Sequence, residues 1–299
     1  MDLPGFSAPY EAPAKLNLML RVVGRRADGY HLLQTVFRFI DYADTLRFRL
    51  RDDGVITRVN DIAGVPADSD LCVRAARALR EATGTRQGAD IHLDKRLPMG
   101  GGLGGGSSDA ATTLLALNYL WKCSLTTNQL LDLAVKIGAD VPVFVFGRNA
   151  FAEGIGEQLQ ALDLPPAWYA VLCPPVSVPT AAIFAHPHLK RDSKKVKIQG
   201  FPEGALVASL GDWDCVNDLQ PVVVELYPAV GRCLAWLSAE VGHGRAMMTG
   251  SGACVFAPFD NEAQAREIID RAPEGMPGFV ARGLEHHPLV GLSPASCSK

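Results

Sequence analysis

The chain has 299 residues, 48% of them hydrophobic, enough to bury a sizeable core in one or two domains. A formal net charge of −3, with no extensively basic segment, leaves no nucleic-acid footprint. No apolar run approaches the ~18 residues of a membrane span, the first residues lack the basic and apolar regions of a secretory signal, and seven scattered cysteines without a Cys-x-x-Cys pair read as reduced thiols of a cytoplasmic protein.

Residues 11–23 predict a strand. Lys15 and Asn17 stand two apart on it, so both side chains share a face with Pro13, while Leu16 and Leu18 take the other. Two readings stand for the pair: an edge facing water, or an ammonium and an amide set for a substrate hydroxyl or phosphate. Asp28-Gly29 marks a turn, and Tyr30-His31 follows it. Rings carried there either sit at the surface or stack on and hydrogen-bond a base. Residues 33–40 and 45–50 predict two further strands, the second strictly alternating. The spacing of Leu71, Ala75, Ala78 and Leu79 predicts a helix over 70–82 that ends near Gly84, and 89–95 read as a half-buried strand.

Next comes Pro98-Met-Gly-Gly-Gly-Leu-Gly-Gly-Gly-Ser-Ser-Asp109, in which six of twelve residues are glycine. Glycine loses more freedom on folding than any other residue, so its concentration needs a compensating close approach of backbone to a ligand. Ser107, Ser108 and Asp109 offer caps for a helix over 108–121. A glycine loop entering a helix N-terminus is an anion site, most often for phosphate. The Walker pattern is excluded, because no Gly-Lys pair occurs in the chain. A dinucleotide fingerprint fits at Gly100, Gly102 and Gly105, but the acidic residue expected about twenty positions on is missing; Lys122 and Cys123 stand there. A phosphate cradle of another kind remains.

A helix over 126–137 follows, capped by Thr127, with Leu130, Leu131, Ala134 and Ile137 on one face and Gly138 at its end. Asp140 is the only charge between Lys136 and Arg148. A carboxylate there is a turn residue, or is partly buried and needs a cation, which Lys15 could supply. Such a pair suits phosphoryl transfer: the carboxylate takes or orients a proton and the ammonium steadies the charge. Pro165-Pro166 marks a boundary, giving lobes 1–164 and 165–299. The second lobe predicts strands at 168–173 and 278–283, helices at 216–227, 229–241 and 261–272, and a glycine turn, Thr249-Gly-Ser-Gly-Ala253, flanked by strands. The basic stretch Lys190–Lys197 reads as a solvated loop, and His286-His287 as surface. Without regular βαβ alternation the class is α+β, in two lobes with a cleft between them.

Three motifs occur in the order of the GHMP kinase superfamily, which the chain resembles: Ala12-Pro-Ala-Lys-Leu-Asn-Leu18, residues 98–108, and Thr249-Gly-Ser-Gly-Ala-Cys-Val-Phe256. Arg26-Ala-Asp-Gly-Tyr-His31, Lys95-Arg-Leu-Pro-Met-Gly100 and Gly138-Ala-Asp-Val-Pro-Val-Phe144 resemble its branch that acts on a cytidine diphosphate-linked methylerythritol, on the route to isoprenoid precursors. The resemblance implies a two-lobed α+β fold and transfer of the ATP γ-phosphoryl to the acceptor's 2-hydroxyl. It implies Asp140 as general base, Lys15 as its electrostatic partner, and Asn17, Tyr30, His31, Thr180 and Phe184 on the acceptor. It places ATP on Pro98, Met99, Gly100, Gly101, Gly102, Leu103, Gly104, Gly105, Gly106, Ser107 and Ser108, with Leu71 and Lys95 near the adenosine. Mg2+ is expected with ATP, with Ser107 or Ser108 as its candidate ligand. Asp70 departs from the pattern, which has Asn there. The rival readings are a kinase of the same superfamily for homoserine, mevalonate or a sugar, and a non-catalytic nucleotide-binding protein; a degenerate protein should have lost Lys15 or Asp140.

Overall fold

The computed structural model describes residues 3–197, 216–242 and 244–292. Its frame is a long antiparallel ribbon. Strand β1 (Tyr10–Arg25) runs against β2 (His31–Arg51), from Tyr10 opposite Leu46 to Arg25 opposite His31. Residues 12–22 of β1 are buried without interruption, so both faces of the strand are covered. Bulges at Pro13/Ala14, Asn17/Met19 and Val22/Gly24 bend the ribbon, and the first accommodates a proline that has no N–H to donate. The two strands expected at 33–40 and 45–50 are one strand. The chain curls through Asp41–Asp44 without breaking, because Asp44 is wholly buried with its carboxylate on backbone amides.

Strand β2 organises the sheet. Its second half pairs antiparallel with β4 (Gly88–Asp94), and β3 (Ile56–Arg58) adds parallel to β4. Residues 35–37 pair with β5 (Ala150–Glu153), which forms a hairpin with β6 (Gln158–Ala161). At Phe39 and Ile40, β2 meets β10 (Gly278–Leu284), which leads on to β7 (Trp168–Leu172), β9 (Val255–Phe259) and β8 (Met247–Met248). Among the described residues the result is one ten-stranded sheet. Helices α1 (Leu71–Thr83), α2 (Gly105–Leu120), α3 (Thr127–Ile137) and α4 (Val141–Phe146) cover the first half. Helices α5 (Thr180–Ala185), α6 (Gln220–Leu226), α7 (Pro228–Val241) and α8 (Glu262–Asp270) belong with the second. This is the expected α+β class.

Helix α2 is the central one. Residues 108–118 are buried all the way round, and the alanines among them let α1, α4 and β1 approach closely. It starts at Gly105, three residues before the expected start, and its N-cap Gly104 is left-handed with φ 74° and no side-chain cap. The cap of α3 is Thr126, not Thr127, in a reciprocal capping box with Gln129. A core cluster lies under each half, and a third joins Leu16, Leu18, Ile40, Tyr169 and Phe256 to Leu97, just before the glycine loop, and Leu103 within it. Cys215 and Cys297 lie outside the described residues; the other five cysteines are free thiols. Among the described residues no single helix is long and apolar enough to cross a membrane.

His287 corrects the surface reading of residues 286 and 287. His286 is exposed, but His287 is 1% exposed and edge-on to Phe39. Its backbone N–H donates to the Gly147 carbonyl, its Nδ1 accepts from the Leu289 amide at 3.1 Å, and its Nε2 has no hydrogen-bond partner. Burial pushes its pKa from the usual 6.5 down to about 3. Between those values the unfolded chain binds the proton and the folded chain does not, so stability is intact above pH 6.5 and falls as pH drops toward 3. The slope from this residue is about 1.4 kcal/mol per pH unit. Urea unfolding at pH 6.5, 5.5 and 4.5 should show that slope reduced in His287→Leu; parallel curves would contradict the burial.

Candidate active site

Four segments meet at the glycine loop. At its entry the Asp44 carboxylate accepts from the Arg96 and Leu97 amides at 2.6 and 2.7 Å. The same carboxylate pairs with Lys95, whose ammonium also reaches Asp109 on α2 at 2.9 Å. Lys95 therefore ties the loop's entry to its exit. In the middle, the carbonyls of Gly100 and Gly101 accept from the amides of Ala253 and Cys254 at 3.2 and 3.0 Å. The second glycine turn thus lies directly on the first. Gly102 has φ +75°, and a Cβ there would stand 2.2 Å from the Thr249 carbonyl, so no other residue fits. At the exit, the Ser108 amide is satisfied by the Gly104 carbonyl at 2.9 Å. The amides of Gly105, Gly106 and Ser107, as the first turn of a helix, have no intrahelical acceptor. Together with the helix dipole they form a cradle for a phosphate-sized anion.

Lys15 stands beside this cradle, 2% exposed. Its ammonium donates to Asn17 Oδ1 at 2.5 Å and to the Gly102 carbonyl at 2.9 Å, and lies 3.5 Å from Asp140 Oδ2. Burial lowers its pKa, and the charge of Asp140 opposes that shift. Asp140 is the N-cap of α4 but makes no side-chain capping bond, and its carboxylate is partly open to the cleft. The Asn17 amide group donates to Thr35 Oγ1 at 2.8 Å, and its backbone N–H donates to Thr249 Oγ1 at 2.9 Å. The side chain expected on the acceptor is therefore also a strut between β1, β2 and the second glycine turn.

A cleft of ≈ 970 Å³ holds these groups together. Every residue expected to act in catalysis or on ATP or the acceptor lines it except Ser108. Ser108 is fully buried and its hydroxyl donates to the Pro13 carbonyl at 2.7 Å, so it is committed to packing α2 on β1. Leu71 and Lys95 line one region with Ile62, Val65 and Leu93. There the Asp70 carboxylate caps α1 by accepting from the Cys72 amide at 2.7 Å and pairs with Arg58 at 2.9 Å, both residues being buried. The acid at this departure from the family pattern thus has its own cation. In another region Tyr30 is 59% exposed, while His31 sits 5.0 Å from the Phe184 ring at a tilt of 35°. Thr180 Oγ1 lies 2.7 Å from Ser251 Oγ, which joins α5 to the second glycine turn. Sequence reasoning missed Asp44, Arg58 and Arg191, the last of which contacts His31 at 3.1 Å. All three act through folds of the chain over more than ten residues, and no local pattern marks them.

An amide cradle next to a buried lysine paired with a cleft-facing carboxylate, on this α+β frame, defines a phosphotransferase of small molecules. The description GHMP kinases N terminal domain matches residues 70–148, and GHMP kinases C terminal matches 204–278. The chain belongs to the GHMP kinases, ATP-dependent enzymes that phosphorylate small molecules. Among them it is similar to the 4-diphosphocytidyl-2-C-methyl-D-erythritol kinase of Thiobacillus denitrificans, 58% identical over 96% of this chain and 99% of the relative. The enzyme of the same name from Nitrosospira multiformis is 59% identical over 93% and 92%. A crystal structure of 4-(cytidine 5'-diphospho)-2C-methyl-D-erythritol kinase matches with a TM-score of 0.76 and 33% identity, over 92% of this chain and 99% of that one. A mevalonate kinase, at TM-score 0.67 and 14% identity over 94% and 100%, shares the fold alone.

The contact between the two glycine turns can be tested apart from chemistry. Gly102→Ala forces a Cβ against the Thr249 carbonyl, so it should lower the melting temperature and raise KM for ATP at least tenfold. Gly106→Ala meets only Leu71 Cδ1, at 3.4 Å, and should fold as the parent does. Indistinguishable melting temperatures would refute the contact as described.

Proposed function

We infer that this chain transfers the γ-phosphoryl group of ATP to the 2-hydroxyl of 4-diphosphocytidyl-2-C-methyl-D-erythritol, in the non-mevalonate route to isoprenoid precursors. The kinase class follows from family membership, and the acceptor from relatives that match nearly the whole chain. The observation that carries the mechanism is Lys15 Nζ at 3.5 Å from Asp140, beside the free amides of α2. Asp140 takes the proton of the acceptor hydroxyl as its oxygen attacks the γ-phosphorus. The bond from that phosphorus to the β–γ bridging oxygen breaks, and ADP leaves. Lys15 offsets the negative charge gathering between Asp140 and the phosphoryl oxygens. The loop from Pro98 to Ser107 holds the phosphates through its amides, and Leu71 packs at the adenosine. Lys95 serves that region indirectly, by bracing the loop against Asp44 and Asp109. Asn17 and Thr180 flank the acceptor's reacting end, and Tyr30, His31 and Phe184 hold the cytosine.

Mg2+ fits the donor set. The ion keeps waters and substrate phosphates and needs only one or two protein oxygens. Ser107 and Asp109 line the cleft within the first five residues of α2, and Asp109 Oδ1 is a buried oxygen without a hydrogen-bond partner. These two would hold it, and Ser108, bonded to Pro13, would not. Bound there, it would neutralise phosphate charge. The division into lobes 1–164 and 165–299 is approximated by two core clusters, although Leu20 and Val22 join the second and Leu289 the first. A free small molecule in the cytoplasm, with neither nucleic acid nor membrane as partner, suits the net charge of −3.

Two measurements test this reading. ADP release should be fast with the cytidine diphosphate acceptor and negligible with mevalonate, homoserine or galactose; turnover of one of those alone would overturn the acceptor. Asp140→Asn should lower kcat by about 10²-fold or more. Its KM for ATP should stay near the parent's while its melting temperature falls, since Lys15 loses its charged partner and keeps only Asn17 and Gly102 as acceptors. Near-parental kcat would remove Asp140 from the role of base.

A further inference from the structure

The basic stretch 190–197, which the sequence leaves as a solvated loop, carries one side chain that turns inward. The Arg191 guanidinium donates four hydrogen bonds. Nη1 reaches the Leu189 carbonyl at 2.9 Å, and Nη2 reaches the carbonyls of Phe184 and His186 at 3.0 and 2.8 Å. Nε donates to His31 Nε2 at 3.1 Å. The segment is itself clamped to the central ribbon. The Ser193 amide donates to the Val22 carbonyl at 3.0 Å, and Gln34 both accepts from the Val196 amide and donates to its carbonyl.

A guanidinium has donors only, so the nitrogen it meets must be an acceptor. His31 Nε2 therefore presents its lone pair, and the proton of the neutral ring sits on Nδ1. Burial and the cations Arg191 and Arg25 both favour that neutral ring. Nδ1 has no protein partner among the described residues, and His31 lines the cleft. The same guanidinium holds the carbonyl of Phe184, whose ring faces His31. Arg191 so fixes both rings through one planar group.

We propose that Arg191 is a positioning residue for the acceptor substrate: it locks His31 in the Nδ1–H tautomer and in register with Phe184, leaving that N–H to donate to the pyrimidine. This rests on the reading that Tyr30, His31 and Phe184 hold the cytosine. A lysine in its place keeps a donor for Nε2 but loses the planar fork.

Long-range 1H–15N NMR of the ligand-free full chain, with His31→Gln identifying the resonances, reads the tautomer directly. The expected result is Nδ1–H for His31. In Arg191→Met the ring should move toward the Nε2–H form that dominates in free histidine. KM for the cytidine diphosphate acceptor should rise about tenfold, the loss of one hydrogen bond's worth of order. KM for ATP and kcat at saturation should stay within about twofold, which a general loss of structure would not allow. Arg191→Lys should recover part of both the tautomer and the KM. A parent His31 in the Nε2–H form overturns the proposal, and this needs no variant to fold. So does Arg191→Met with unchanged tautomer and KM. If His31→Gln and Phe184→Ala leave the acceptor KM unchanged while the tautomer is as expected, the cytosine assignment is what fails, and the substrate role of Arg191 falls with it.

Discussion

A buried ammonium must be solvated by the protein, and Lys15 imposes that requirement on everything around it. Leaving such a charge unpaired costs several kcal/mol. Its oxygen ligands come from three places: Asn17 on its own strand, the Gly102 carbonyl in the loop, and Asp140 at the start of α4. Each ligand fixes the segment that carries it. Gly102 can aim its carbonyl inward only with a positive φ and with Thr249 packed at its back. The glycine loop, the second glycine turn and the helix bearing Asp140 are, in this sense, one coordination shell.

The glycines consequently have two uses where the sequence suggested one. Gly105 and Gly106 open the first helical turn and leave amides free, as a phosphate cradle requires. Gly102 instead lets two stretches of backbone touch, and beside it the carbonyls of Gly100 and Gly101 accept from Ala253 and Cys254. A pattern of glycines cannot distinguish backbone approaching a ligand from backbone approaching backbone, since both demand the absence of a Cβ. The same ambiguity set the start of α2 too late. Ser107, Ser108 and Asp109 have the chemistry of caps, but Gly104 takes the cap position and Ser108 turns to Pro13.

Much of the frame was legible because it is local. The helices at 70–82 and 126–137, the alternation of 89–95 and the turn at Asp28-Gly29 all follow from periodicity and turn chemistry. The shared face of Lys15 and Asn17 was equally plain, since no bulge falls between them. What stayed hidden depends on distant pairing. The union of two predicted strands into β2 needs Asp44 buried against residues 96 and 97. His287 looked like surface because its burial comes from the Gly147 carbonyl and Phe39. Asp70 looked like an anomaly until Arg58 appeared beside it. Charges satisfied across long loops leave no spacing to read.

Strand β2 carries a last consequence. His31 begins it and Asp44 lies within its far half, so one unbroken strand joins the region of the aromatic pair to the anchor of the glycine loop. At roughly 3.3 Å per residue the strand is a ruler between them. Adding or removing one residue would also reverse every side chain beyond the change. The number of residues between the two ends of the cleft is therefore fixed in the covalent chain, while the curl that sets their distance is held by the contacts of Asp44. An insertion in a rim loop would leave that count unchanged, whereas one within β2 would not.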